Sequence, residues 1–287
     1  MLDHRIDAKT ERLAVLGKSL GHTWSPVIHN SLFKAAKRNA VYFPITVDEA
    51  DLSAVCAVFR SCYRGFNVTI PYKERIIPLL DEVDEAARIC GAVNTVENRN
   101  GRLIGHITDG LGMLRAIEEA GIKTLKSRVL ILGGGGAARV AAYEFLVRGG
   151  TVTLAVRNDE KGLKLAAELA ATQEDGRDRI SVSPLEQIDG EFDILINCTP
   201  VGMYPNTDAS PVDAAVVSRC AAVFDAVYNP RMTKLISIAK ELNKPVIEGL
   251  GMLYYQAVEA QRIWFGDEIG VSEQTQADIY RELIKCM

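Results

Sequence analysis

A chain of 287 residues, 48% apolar and 24% charged, is long enough for one or two domains with sizeable cores and has an ordinary folded composition, which excludes a disordered or fibrous protein. Its 37 acidic and 33 basic residues leave a net charge of −4 and no basic run, so nothing is set up to neutralise a row of phosphates and nucleic acid is excluded as a partner. No apolar run approaches the ~20 residues of a membrane span, and the charged opening MLDHRIDAKTERL lacks a signal-peptide core, so a cytoplasmic protein with no membrane association is expected.

LAVLG (13–17) reads as a strand. SPVIHNSLFKAAKRN (25–39) reads as a helix, with Pro26 in its first turn and Ile28, Leu32, Ala35 and Ala36 on one face. VYFPITV (41–47) follows as a strand, DEADLSAVCAVFR (48–60) as a helix and GFNVTIP (65–71) as a strand ending at Pro71. This βαβ rhythm implies a largely parallel sheet flanked by helices. A helix over 108–120 comes next. After a basic spacer, RVLILGGGGAARVAAYEFL (128–146) reads as strand, glycine loop and helix. TVTLAVRN, FDILINCTP, AAVFDAVY and KPVIEG then read as strands, separated by the helices DEKGLKLAAELAA and TKLISIAKELN. The chain closes on two helical stretches, 249–266 and 272–287, without a strand.

The expected fold is therefore α/β with two α/β domains: an N-terminal domain with a mainly parallel sheet, a Rossmann-type domain, and a cleft between them. The boundaries are drawn at 1–109, rejoined by the helices of 252–287, and at 110–251. Cys56, Cys62, Cys90, Cys198, Cys220 and Cys286 form no CxxC or CxxH pair, so no metal site is expected and the thiols are read as reduced and mostly buried.

Four consecutive glycines between an apolar strand and an Ala-rich helix meet the context of a dinucleotide fingerprint. Gly133, Gly134, Gly135 and Gly136, with Ala137, let the backbone approach a pyrophosphate at a helix N-terminus, and Ala138 takes the place of the third Gly or Ala. Cofactor type is read at the end of the next strand, where Arg157, Asn158 and Lys161 stand. The basic Arg157 and Lys161 favour the 2′-phosphate of NADP, while Asp159 and Glu160 leave NAD open or complement the helix dipole.

In NVTIPYKE, Lys73 follows a strand whose carboxyl end faces the ligand crevice of an open α/β sheet. A solvated surface lysine is the plain alternative. Thr23 and Ser25 in GHTWSPVIHN are expected as helix N-caps, a role compatible with holding a carboxylate at a first turn. In GHITDG, Thr108 or Asp109 is expected to start a helix.

Together, GHTWSPVIHN, NVTIPYKE, GAVNT, ITDG, GGGGAAR, INCTPVGM and GLGMLYYQA resemble, in order and approximate spacing over nearly the whole chain, the shikimate dehydrogenase family, quinate/shikimate dehydrogenases included. The resemblance implies NADP-linked interconversion of 3-dehydroshikimate and shikimate, with substrate in the first domain and the nicotinamide entering from the second. It implies Lys73 and Asp109 as a catalytic pair, Thr69, Asn94 and Gln256 as hydroxyl-binding residues, and Thr23 and Ser25 at the substrate carboxylate. It puts Tyr228 near the substrate, with Thr199 and Gly249 on the cofactor side. Reduction of a ring ketone requires a hydride on carbon and a proton on the developing alkoxide, a task that suits a lysine beside an orienting carboxylate.

Three positions depart from the family pattern. Ile107 stands where Asn is usual, Thr23 replaces Ser, and Trp24 takes the place of a common lysine. A quinate or related cyclitol-acid dehydrogenase is therefore a close alternative. A non-catalytic dinucleotide-binding regulator is the alternative of another class, and retention of Lys73 and Asp109 speaks against it. A monomer or homodimer acting on a small hydroxy acid is expected.

Overall fold

The computed structural model describes residues 6–266 and 269–286. It divides into two compact units, Met1–Thr108 with Gln256–Met287, and Asp109–Tyr255.

The first unit runs β1 (Glu11–Gly17), α1 (Ser25–Ala35), β2 (Ala40–Thr46), α2 (Leu52–Cys62), β3 (Gly65–Val68), β4 (Glu82–Val83), α3 (Glu85–Cys90), β5 (Thr95–Arg99) and β6 (Arg102–His106). These strands form one sheet in the order β2-β1-β3-β5-β6-β4. Pairs β1–β2, β1–β3 and β4–β6 are parallel, and β3–β5 and β5–β6 antiparallel. The β5–β6 hairpin turns on Asn100 and Gly101, whose φ values of 55° and 87° match the two-residue turn that Asn-Gly favours. The expectations above pass over this signal, and β4 and α3 with it.

Helix α1 stops at Ala35, four residues short of the expected end; Lys37 has a φ of 51°, which an α-helix does not accept. In α2, Leu52, Cys56 and Phe59 are the buried residues, the i, i+4, i+7 stripe of a helix lying on a sheet. The C-terminal segment completes this core. Trp264 is fully buried with Leu13, Val15, Leu20, Phe33, Tyr42 and Ala260, and its indole N–H donates to Val96 O at 3.0 Å. Gly65 makes room for it, since a Cβ there would lie 2.3 Å from Trp264 Nε1.

The second unit comprises α4 (Asp109–Glu119), β7 (Arg128–Leu132), α5 (Gly136–Val147), β8 (Thr151–Val156), α6 (Asp159–Ala170), α7 (Gly176–Arg179), β9 (Ile180–Pro184), β10 (Ile194–Asn197), α8 (Ala214–Ser218), β11 (Val223–Asp225), α9 (Lys234–Glu241) and β12 (Val246–Glu248). Helix α10 (Gly249–Phe265) begins here and ends in the first unit, where α11 (Glu273–Cys286) follows. The sheet order is β12-β11-β10-β7-β8-β9, and every pairing is parallel. Counted within the unit, that order is 6-5-4-1-2-3, the doubly wound dinucleotide-binding arrangement. Strands β7 and β10 are apolar and buried almost throughout, as a sheet covered on both faces requires. Leu130, Leu132, Ala155, Leu195, Val223 and Leu235 belong to the core beside it.

Cys56, Cys90 and Cys220 are buried and Cys62 and Cys198 half-buried, all five outside any disulfide. The Cys286 side chain lies outside the described residues. Among the described residues no helix is long and apolar enough to cross a membrane.

Candidate functional site

In the first unit, strand direction gathers the expected substrate residues. β1 and β3 are parallel, so the loops after Gly17 and Val68, the first carrying Thr23 and leading into α1 at Ser25, the second carrying Thr69 and Lys73, leave the sheet at one edge. β5 is antiparallel to β3, with Asn67 opposite Thr95, and Thr95 in turn lies opposite His106 at the end of β6. Asn94 and the turn of Ile107 and Thr108 therefore sit at that same edge. Period and direction do this; no single motif encodes it.

A chain of buried hydrogen bonds ties the edge together. Tyr42 Oη donates to Asn67 Oδ1 at 2.6 Å, and Asn67 Nδ2 donates to Asn94 O at 3.0 Å and Thr95 Oγ1 at 2.9 Å. Asn94 Nδ2 donates to Thr108 Oγ1 at 3.0 Å and Gln256 Oε1 at 3.3 Å, while Asn94 Oδ1 accepts the Thr108 N–H at 2.8 Å. Asn94 and Gln256 are thus in direct contact across 162 residues of sequence. The Val93 N–H, one residue before Asn94, donates to Lys73 O at 2.8 Å. Lys73 and Thr108, the residue preceding Asp109, are consequently anchored on the dipeptide Val93–Asn94. Lys73, Thr69, Thr23 and Asp109 are half-buried, and Ser25 and Ile107 buried.

Next to this chain, His29 is completely buried and stacks on Tyr42 with ring centroids 4.2 Å apart. Burial drives its pKa down to about 3, so the imidazole is neutral at ordinary pH.

The N-cap expectation for Thr23 and Ser25 is corrected. The α1 N-cap is Trp24, in a helical conformation with no side-chain cap bond, because the chain enters α1 already coiled. Thr23 Oγ1 instead accepts the Ser25 N–H over 3.4 Å. Asp109, not Thr108, is the first residue of α4; Thr108 is held outside by its bonds to Asn94. The strand expected over 65–71 ends at Val68, so Thr69 and Lys73 lie on the loop beyond it.

In the second unit, a cavity of about 580 Å³ is lined by Gly133, Gly134, Gly135, Arg157, Asn158, Lys161 and Thr199, among others. It opens beyond the carboxyl ends of β7 and β10, where the strand order reverses, the place at which open α/β sheets bind ligands. Gly133 has a φ of +113°, and a Cβ there would lie 3.2 Å from Thr199 Cγ2, so only glycine lets the loop turn against the opposite wall. Gly135 is the N-cap of α5 and offers no side chain, leaving first-turn N–H groups open to an anion. Gly136 and Ala137 begin α5 beyond the residues that line the cavity. Asn158 also caps α6, its Oδ1 accepting the Lys161 N–H at 2.9 Å.

Cys198, Pro200, Val201, Ser210 and Pro211 line the same cavity; the first three lie in the INCTPVGM run, but none is among the expected site residues, because small, uncharged side chains in a loop do not announce a binding role. Burial raises the Cys198 thiol to about 12, which keeps it protonated and removes thiolate chemistry from this wall. Beneath the wall, Asn197, Asp225 and Thr233 are fully buried. Burial pushes the Asp225 carboxyl above the ordinary range, opposed by the Thr233 hydroxyl, the Val227 N–H and the Asn197 amide. Tyr228 is 40% exposed on the loop after β11, and Gly249 opens α10, buried.

The family model for the shikimate dehydrogenase substrate binding domain matches residues 15–96. A shikimate dehydrogenase (NADP(+)) of Methanococcus maripaludis is 39% identical over 263 residues, covering 91% of this chain and 94% of its own. A solved shikimate dehydrogenase in complex with NADP+ superposes with a TM-score of 0.89 at 37% identity, covering 99% of both chains. The shikimate 5-dehydrogenase of Thermus thermophilus, in complex with NADP(H) and shikimate, gives 0.84 at 32% identity, covering 95% of this chain and 99% of that one.

Proposed function

The chain belongs to the shikimate dehydrogenase family, and from that premise we propose that it reversibly reduces 3-dehydroshikimate to shikimate with NADP as the hydride partner. One observation carries the reading: the glycine loop, Arg157, Lys161 and Thr199 surround a single cavity at the switch point of the doubly wound sheet. Kinship to enzymes named for NADP and shikimate supports it from outside the molecule.

The residues present fit NADP. Gly133 to Gly135 present backbone at the start of α5 for the pyrophosphate, and Gly136 and Ala137 supply first-turn N–H groups. Arg157 and Lys161 are exposed cations at the cavity, suited to the 2′-phosphate, the first as a fork and the second as a point charge. Asn158 and Thr199 complete the wall, and Gly249 is assigned to the nicotinamide end. When bound, the cofactor supplies or takes the hydride.

This chain's own residues handle the rest. Lys73 is the proposed proton donor to the developing alkoxide and Asp109 the acid that keeps the ammonium charged. Support for the pairing comes from the first unit, where the Lys73 carbonyl and the residue before Asp109 are bonded to neighbouring positions, 93 and 94. Thr69, Asn94 and Gln256 are the proposed ligands of ring hydroxyls, Thr23 and Ser25 of the carboxylate, with Tyr228 on the substrate side. In this reading residues 1–109 with 252–287 bind substrate and 110–251 bind cofactor. A cytoplasmic enzyme, monomeric or homodimeric, goes with it.

A second reading, a quinate or related cyclitol-acid dehydrogenase using NAD, is favoured by Ile107 in place of an amide and by Asp159 and Glu160 beside Arg157. Absorbance at the nicotinamide band, with shikimate and quinate each paired with NAD and NADP, separates the two. Shikimate with NADP is expected to turn over fastest. Turnover no greater than in the other three combinations overturns the proposal.

A further inference from the structure

Asp225 ends β11 with 0% exposure, and Asn197 and Thr233 beside it are equally buried. A carboxylate in such a place is costly unless donors surround it. Here they do. Oδ1 accepts Asn197 Nδ2 at 2.9 Å and the Val227 N–H at 3.0 Å, and Oδ2 accepts the Thr233 hydroxyl at 2.6 Å. Among the described residues, no ion pair involves it.

The consequence travels through Asn197. With its amide nitrogen bonded to Asp225, Asn197 must turn its oxygen the other way. Oδ1 there accepts the Thr199 N–H at 3.0 Å and the Thr199 hydroxyl at 2.7 Å, and the Thr199 oxygen accepts the Val201 N–H at 3.2 Å. Thr199 and Val201 both line the cavity assigned to the cofactor, opposite the glycine loop. On the other side, Val227 lies on the loop that carries Tyr228, and Thr233 caps α9 by accepting the Ile236 N–H at 3.2 Å.

We propose that Asp225 is a positioning residue for the cofactor: accepting on both of its oxygens, it orients the Asn197 amide, and Asn197 holds Thr199 and Val201 at the cavity wall. The inference rests on the reading of that cavity as the NADP site. An acid suits the post where an amide does not. Asn at 225 keeps one oxygen but turns an NH₂ toward the Thr233 hydroxyl, whose own proton then lacks the acceptor it has now. The other orientation of Asn at 225 restores the Thr233 bond but sets an NH₂ against the Asn197 amide and the Val227 N–H, so either way the network loses an acceptor.

The test uses the full chain, with Asp225→Asn, Thr233→Val and Thr233→Ser beside wild type and Arg157→Ala, measuring NADP affinity by titration, KM for both substrates, kcat and Tm. Asp225→Asn is expected to weaken NADP about tenfold, as loss of a partner in a buried network does, with kcat and the KM for shikimate within about twofold of wild type. Thr233→Val is expected to follow in the same direction, and Thr233→Ser, which restores the hydroxyl, to recover wild-type affinity. NADP affinity unchanged in a folded Asp225→Asn or Thr233→Val protein overturns the inference, as does a uniform fall of kcat and both affinities with Tm. If Asp225→Asn does not fold, the Thr233 pair decides the matter alone. NADP affinity unmoved by Arg157→Ala sinks the cofactor reading itself, whereas a loss there with none in the Asp225 and Thr233 variants sinks only the role of Asp225.

Discussion

The two sheets both deliver their functional loops to one edge, but the polar groups buried beneath those loops differ in kind. In the first unit Asn67, Asn94, Thr95, Thr108 and Gln256 are all neutral. In the second the centre is a carboxylate, Asp225, bonded to Asn197 and Thr233. Neutral amides and hydroxyls both give and accept, so each takes its direction from the next, and Asn94 is set by Thr108 and Gln256 together. A carboxylate only accepts, so it imposes direction on whatever surrounds it. A neutral chain suits the ring hydroxyls proposed for the first edge; an acid suits the proposed cofactor wall, whose backbone it would hold still. Cations are likewise divided, with Lys73 on the first edge and Arg157 and Lys161 at the second unit's cavity.

That division is open to attack, most forcefully at Lys73. Lys73→Ala should cut turnover by ~10² or more while NADP titrates nearly as in wild type. Loss of NADP affinity instead would move Lys73 to the cofactor side and dissolve the contrast. Arg157→Ala probes the other half. It should weaken NADP by roughly 10- to 100-fold, as removal of a charged partner does, and NAD and shikimate by little. Equal losses for NADP and NAD would take the 2′-phosphate clamp out of the account.

A smaller effect separates the units by pH. His29 titrates near 3 in the folded chain against 6.5 ordinarily, so below pH 6.5 the unfolded state takes up a proton that the native state refuses. The stability it contributes is whole above 6.5 and falls as pH drops toward 3, by about 1.4 kcal/mol per pH unit once the unfolded histidine is protonated. Asp225 has the opposite sign. Its folded pKa lies above 3.8, so the native state is the better proton binder from 3.8 upward and stability is lost as pH rises through that window. Denaturant unfolding from pH 4 to 8 should show a shallower acid slope in His29→Phe, which keeps a ring on Tyr42, and a weaker loss with rising pH in Asp225→Asn. If either variant keeps the wild-type profile, that residue is not the source of the slope.

Much of this molecule is legible in its residues. The apolar run RVLIL, the four glycines and the helix after them are contiguous, and contiguous patterns survive reading without coordinates. Arg157, Lys161 and Thr199, expected at the cofactor, do share a cavity with the loop. The Asn100–Gly101 hairpin is also there to be read but is easily passed over, because charged residues on both strands blur their alternation. Caps at Thr23 and Ser25 fail for a different reason: a hydroxyl before a helix suggests a cap, but the path by which the chain enters α1 makes Trp24 the boundary.

By itself, then, the sequence determined what depends on neighbours along the chain: the alternation of strand and helix, the glycine turn, the basic end of the second strand in its unit, and the order of motifs that marks the family. Tertiary structure alone decided what depends on strand order and direction. Nothing local says that β5 runs against β3, yet that reversal brings Asn94 to the edge that carries Lys73. Nor does anything local pair Asn94 with Gln256, or Asn197 with Asp225, 28 residues away. A buried polar group has to find its partner wherever packing puts one, and that choice is made in three dimensions.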